Sequence, residues 1–297
     1  MSRNLYAEAS ARILVHLETG TIPWVKPWRA TAGRNQPRNA VSQRPYSGCN
    51  VLMLWLAQRD YPTPAYLTFK QALDFGGNVR KGEHGTAVYF VKQMLGKPKA
   101  GDDNASEGGQ RSFTILKSYT VFNTAQCEGL PDKITNPTPP KPRHDDARDV
   151  HADEFIAATG CDFRENGCDR AYYNVAGDFV AVPRFDSFNS ADAFYSTSFH
   201  ELGHWTGSPK RLARDLKNKF GSPEYGYEEL IAELTAAFLC AEFDINGQDR
   251  HSAAYIKGWI KLLKDEPRAF MSACAAAQRA ADHLRGLALA DDSKIAA

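Results

Sequence analysis

His200-Glu201-Leu202-Gly203-His204 sets two imidazoles and a carboxylate at the H-E-x-x-H spacing. On a helix, positions i and i+4 lie about 40° apart and one turn along the axis. Both imidazoles can then reach one tetrahedral Zn²⁺ at about 2.0–2.1 Å. Glu201 projects from the same turn, beside the open coordination position. There it can take a proton from an attacking water whose pKa the ion lowers to about 7. The alternative is a pair of packed core histidines. A chance match in a chain of this composition is expected roughly once per hundred chains, which favours the metal reading.

A catalytic ion needs a third protein ligand. Ser222-Pro223 reads as the N-cap and first residue of a helix that carries Glu228, Glu229 and Glu233 among Leu230, Ile231, Leu234, Phe238 and Leu239. Acidic groups on an otherwise apolar helix are costly to bury unless they are paired or bind a metal. Glu229 and Glu233 share one face, a turn apart. We assign Glu229 as the ligand and Glu233 as the carboxylate that orients a histidine N–H, although spacing alone also permits the reverse order. Glu228 lies about 100° off that face and is expected in solvent. The cofactor expected is one divalent metal, Zn²⁺ first and Mn²⁺ as the alternative. Tyr195, Tyr225 and Tyr227 are candidate oxyanion partners.

Several elements must position these groups. Ser190 or Asp192 can cap a helix running through Ala193, Phe194 and Phe199 into the motif, and Gly207 with Pro209 ends it. A basic loop, 210–219, follows. Ala171–Val175 and Asp178–Arg184 read as a hairpin around Gly177, which would offer an edge strand to an extended peptide. Helices at about 252–264 and 267–289 close this part of the chain.

The other half has different chemistry. Residues 1–143 hold 19 Lys+Arg and 10 Asp+Glu, while residues 144–297 hold 17 and 25, so the overall net charge of +1 hides a basic half and an acidic half. Fourteen Phe, Trp and Tyr residues are interleaved with the basic excess. Single-stranded nucleic acid is held by that pairing, cations on phosphates and flat rings on unpaired bases. Trp24, Lys26, Trp28 and Arg29 form one extended aromatic and basic stretch. Arg38, Arg44, Tyr46, Lys70, Arg80 and Lys81 complete the set of candidate single-stranded DNA contacts. Helices over 6–17 and 50–58, another starting at Leu67, and strands at 86–92 and 112–122 give an α+β domain. A polar stretch, 96–110, joins those strands as a hairpin tip. Residues 131–146 contain five prolines and read as an extended linker between a first domain, 1–130, and a second, 147–297, which is mainly helical with a small β-hairpin.

The six cysteines are scattered without a C-x-x-C pair, so neither a disulfide scaffold nor a cysteine zinc site is expected. No apolar run approaches the roughly 18 residues of a membrane span, and the first residues show no secretory leader. A cytoplasmic protein with no membrane partner is expected.

With these motifs in place, the chain resembles plasmid-borne antirestriction proteins of the ArdC type. The resemblance rests on Pro23-Trp24-x-x-Pro27-Trp28, Tyr46-Ser47-Gly48-Cys49-Asn50, Leu67-Thr68-Phe69-Lys70-Gln71-Ala72, Gly76-Gly77-x-Val79-Arg80-Lys81-Gly82-Glu83, Phe122-Asn123, His200 to Gly207 and Glu228-Glu229-Leu230. The N-terminal half is also similar to part of plasmid replication primases. The resemblance implies a single-stranded-DNA-binding domain joined to a zincin-like metallopeptidase domain, with His200, His204 and Glu229 as metal ligands and Glu201 as catalytic base. It implies protection of incoming plasmid DNA from host restriction during conjugation, and an unidentified protein substrate. Two rivals stand beside this expectation: a DNA-coating protein whose metal site is structural or vestigial, and an accessory protein of plasmid replication.

Overall fold

A computed structural model describes residues 4–25, 36–57, 61–95, 112–135, 147–216, 222–246 and 253–295. The chain opens with helix α1 (Leu5–Glu18), whose N-cap Asn4 accepts from the Ala7 N–H. Strand β1 (Arg38–Asn39), helix α2 (Cys49–Ala57), strand β2 (Ala65–Thr68) and helix α3 (Phe69–Asp74) follow. The sequence places Leu67 and Thr68 at the start of that helix. Instead Leu67 is fully buried in β2, and Thr68 is the N-cap, closing a capping box with Gln71.

Strands β3 (Asn78–Val79), β4 (Thr86–Leu95), β5 (Ser112–Asn123) and β6 (Cys127–Glu128) complete the first part of the fold. The main sheet runs β1-β2-β5-β4, with β4 and β5 paired antiparallel from Thr86↔Val121 to Leu95↔Ser112. The expected hairpin tip, 96–110, lies outside the described residues. Helix α4 (Asp132–Thr135) occupies the first residues of the expected linker, and Ile134 is buried there. The first module thus packs its chain through residue 135, because Ile134 has an apolar cluster to join. The rest of the proline-rich stretch, 136–146, is outside the described residues.

Helix α5 (Val150–Ala158) leads into strands β7 (Asp162–Glu165), β8 (Tyr172–Asn174) and β9 (Phe179–Val182). The expected hairpin is β8–β9. Strand β7, which the sequence does not announce, adds parallel to β9 and leaves β8 as the other edge. Helices α6 (Ala191–Trp205), α7 (Pro223–Glu242), α8 (Ala253–Asp265) and α9 (Ala269–Ile295) build the remainder. Ser190 caps α6 and Ser222 caps α7, each through its own side chain. Among the described residues, no helix is long and apolar enough to cross a membrane.

The architecture is α+β in two domains, but the largest apolar core belongs to both. Ile13 and Leu17 of α1, Trp24, and Leu52 and Met53 of α2 pack in one cluster with Leu230 and Leu234 of α7, Trp259 of α8 and Phe270 of α9. Trp24 is 2% exposed and stands edge-to-face with Trp259, ring centroids 5.3 Å apart. It is therefore a core residue and not a stacking platform for DNA, since no face of the indole is left for a base. Truncating such a side chain leaves a cavity that the close-packed surroundings fill only in part. Trp24→Ala is expected to destabilise the chain by about 3–5 kcal/mol, measured by urea unfolding followed by circular dichroism.

Candidate metal centre

Helices α6 and α7 cross where Gly203, the fourth residue of the H-E-x-x-H motif, faces Ala232. A Cβ at position 203 would stand 3.1 Å from the Ala232 Cα and 3.3 Å from the Thr235 Cβ. Those are tighter than ordinary contacts, so the helices come this near because residue 203 has no side chain. The approach carries the acidic residues of α7 to the histidines of α6.

One carboxylate and two ring nitrogens converge. His200 Nε2 and His204 Nε2 are 3.1 Å apart. Glu229 places one oxygen 3.7 Å from His200 Nε2 and the other 3.5 Å from His204 Nε2. The ligand atoms of these three residues lie within 4.8 Å of one another. Each histidine turns its other nitrogen to a different glutamate. His200 Nδ1 is 2.6 Å from Glu233 Oε1, and His204 Nδ1 is 3.2 Å from Glu228 Oε1. Two imidazole Nε2 atoms with one carboxylate, each ring held from behind by a second carboxylate, form a donor set that fits one divalent metal ion. Glu201 is 8% exposed and lines the same cleft, about 380 Å³ in volume, with Tyr173 of β8, Tyr225 and Tyr255.

Glu228 corrects an expectation. It is 7% exposed rather than solvated. Its charge is balanced by Arg214, whose Nε and Nη2 donate to the two carboxylate oxygens at 2.8 Å each. The same guanidinium donates to the Thr206 hydroxyl at 2.9 Å and to the Gly203 carbonyl at 2.7 Å. Helical azimuth put Glu228 outside because it counts only the Glu229–Glu233 face, yet the Glu228 carboxylate still reaches His204 Nδ1 on α6. The loop after α6 folds back and supplies a second surface.

Burial alone would raise the Glu228 carboxyl, but Arg214 and His204 outweigh it and hold it below the usual range. For His204, burial opposes the cation, while the Glu228 hydrogen bond and the charges of Glu229 and Glu201 favour it and push the imidazole to about 9.

The neighbouring residue Arg211 pins the hairpin. It pairs with Asp178, lies 3.7 Å over the Trp205 ring, and donates to the Trp205 carbonyl. The Arg211 guanidinium holds the Asp178 carboxyl well below the usual carboxylate range. Strand β8 is thereby fixed along the cleft, and among the described residues no strand pairs with its outer edge.

Of the three tyrosines singled out from sequence, Tyr195 is fully buried and bonded to Asp149 and Asp153, and Tyr227 packs against the shared core. Tyr225 reaches the cleft, 3.2 Å from the hydroxyl of Tyr255. Tyr255 carries no signal in the sequence, for it lies on a helix without a motif.

The expected DNA contacts that are described differ in exposure. Arg44, Lys70 and Lys81 are exposed, Arg38 is half-buried on β1, and Tyr46 is buried with only its rim on a cleft. Arg80 bonds the backbone of Cys127 and Ala125 and pairs with Glu83, which makes it a tie between β3 and the turn before β6. Lys26, Trp28 and Arg29 lie outside the described residues.

A helix presenting H-E-x-x-H, crossed by a second helix with a converging glutamate and flanked by an edge strand, defines a zincin-like metallopeptidase domain. Residues 150–277 match the family model of that description, zincin-like metallopeptidase, and residues 3–122 match the N-terminal domain of the anti-restriction factor ArdC. The metal-free crystal structure of the antirestriction protein ArdC from plasmid R388 superposes with a TM-score of 0.81 at 36% identity, over 97% of this chain and 98% of that one. Its Mn(II)-bound structure superposes with a TM-score of 0.78, over 96% and 98%. This chain belongs to the ArdC antirestriction family. It is also 34% identical over 288 residues to the uncharacterized protein y4eC of Sinorhizobium fredii, covering 94% of this chain and 91% of that protein. A DNA primase TraC of Escherichia coli is 35% identical over 296 residues, and this chain spans only 27% of that primase's length.

The site generates two expectations. A proton on His204 must leave before the nitrogen can bind metal, so apparent affinity for Mn²⁺ should rise with pH up to about 9 and level off above it. Titration calorimetry in buffers of differing ionisation enthalpy should show proton release at pH 7. Removing the clamp behind His204, by Arg214→Ala or Glu228→Ala, should weaken metal binding about 10–100-fold in the same titration.

Proposed function

We propose that this chain is an antirestriction protein that binds single-stranded DNA through its N-terminal domain and hydrolyses a peptide bond with its C-terminal domain. In this reading it protects plasmid DNA from host restriction during conjugation, working in the cytoplasm. The first domain runs through residue 135 and the second over 147–297, with the proline-rich stretch between them in the sequence. His200, His204 and Glu229 are the metal ligands, with Zn²⁺ the first expectation and Mn²⁺ the alternative. The observation that carries the hydrolytic half is the convergence of those three ligand atoms beside Glu201 in an open cleft.

When bound, the ion supplies a Lewis acid that polarises a carbonyl and makes water a better nucleophile. Glu201, held in the cleft by α6, takes the proton from that water and later delivers it to the departing amine. Glu233 and Glu228 hold the two rings from behind. Burial, the Tyr255 hydroxyl and the Glu229 charge all keep Tyr225 protonated, so its O–H can donate to the developing oxyanion. A peptide laid along the edge of β8 would present its carbonyl to this group.

Glu201→Ala should retain metal and lose hydrolysis, whereas His200→Ala should lose metal. The deciding experiment is conjugative transfer into a restricting recipient, wild type against Glu201→Ala at matched protein levels. Loss of protection supports the enzyme. Full protection by the mutant favours a DNA-coating protein whose metal site is not catalytic. The match to part of a primase supports a further reading, an accessory of plasmid replication. That reading predicts an equal loss of transfer into recipients without restriction.

A further inference from the structure

A second cleft, about 590 Å³ in volume, opens where the two domains meet. On one side stand Arg44, Tyr46 and Gly48, from the segment that leads into α2. On the other stand Met271, Ala275 and Gln278 of α9, which belongs to the metallopeptidase domain. Gln278 Oε1 accepts from the Gly48 N–H at 2.9 Å, tying α9 to the amino end of α2. Arg44 is exposed, and no carboxylate lines the cleft among the described residues. The amino end of α2 adds partial positive charge.

The outer rim is aromatic. Phe90 of β4 lines the cleft and is 47% exposed. Tyr119 of β5, 49% exposed, stands edge-to-face with it, ring centroids 5.3 Å apart. Lys117 lies directly opposite Phe90 in the β4–β5 register and is exposed. Two large rings side by side, half in water and flanked by a cation, do nothing for the core and mark a contact surface.

We propose that this cleft and the Phe90–Tyr119 ledge are where single-stranded DNA lies, so that α9 of the metallopeptidase domain forms one wall of the DNA site. The proposal rests on the reading that the chain binds single-stranded DNA, and adds which surface does so and that both domains build it. Phosphates meet Arg44, Lys117 and the amino end of α2, while unpaired bases lay their faces on Phe90 and Tyr119. A duplex keeps those faces stacked internally, so the ledge favours single strands. None of Phe90, Tyr119, Lys117 or α9 belongs to the motifs that suggested DNA binding.

The test is fluorescence anisotropy of a labelled oligothymidine with the full chain at fixed low salt. The double variant Phe90→Ala, Tyr119→Ala should lose about tenfold or more in affinity. Ala275 is an exposed helix position, so substitution there leaves the fold intact. Ala275→Glu should weaken binding several-fold and Ala275→Lys should strengthen it, with melting temperature and Mn²⁺ affinity unchanged. Wild-type affinity in the double variant, or equal affinity of the Glu and Lys variants, would overturn the proposal. No binding of the oligonucleotide by the wild type would overturn the reading beneath it as well.

Discussion

The crossing of α6 over α7 at Gly203 and Ala232 is the constraint on which the site depends. A glycine inside a helix costs about 1 kcal/mol relative to alanine. Here it is offset by what the approach permits, since the Ala232 Cα stands only 3.1 Å from where a Cβ at 203 would be. At any larger spacing, Glu229 could not stand within 3.7 Å of one Nε2 and 3.5 Å of the other. Residues 229 and 233 then fall on the two sides of His200, one toward each ring nitrogen. One backbone contact thus fixes which glutamate meets the shared donor atoms and which holds a ring from behind.

That geometry concentrates Glu201, Glu228 and Glu229 on one partly buried cleft, with Glu233 beside His200 Nδ1, which is electrostatically expensive. Part of the cost is met inside the protein. Arg214 takes Glu228 in a two-pronged pair and, through Thr206 and Gly203, binds its loop to the end of α6. The remaining negative charge faces the histidines, which explains why His204 favours its charged form and why a divalent cation suits the place. Arg211 serves the same loop from the other side by holding Asp178 and the hairpin. The segment after the motif is therefore a wall of the cleft, built from two guanidinium groups.

The two domains are not independent beads on a linker. Their shared core means that Trp24, which local sequence presents as an accessible aromatic, is used to join α8 to the N-terminal helices. Trp259 in turn donates to the Gly226 carbonyl at 3.0 Å and lies 6.0 Å from the Tyr255 ring. The N-terminal segment is consequently packed one aromatic ring away from a tyrosine of the metal cleft. The seam between the domains also creates the second cleft, which neither domain would form alone.

The sequence by itself determined what is local. H-E-x-x-H needs only helical periodicity to bring two rings together, and Ser190, Ser222 and Pro223 mark helix starts through groups within one turn. The β4–β5 and β8–β9 pairings follow from runs of apolar residues and the turns between them. Tertiary structure decided everything that depends on which surface meets which. Glu228 lies about 100° from the Glu229–Glu233 face, and only the meeting of His204 on α6 with Arg214 on the returning loop makes that position interior. Tyr255 has no neighbour in sequence to mark it, and Tyr119 reads as strand until its face is seen to be open. Trp24 and Phe90 are both aromatic residues in the basic half, and composition cannot tell them apart. Burial separates them, because the area an aromatic ring leaves to a ligand is set by residues more than a hundred positions away.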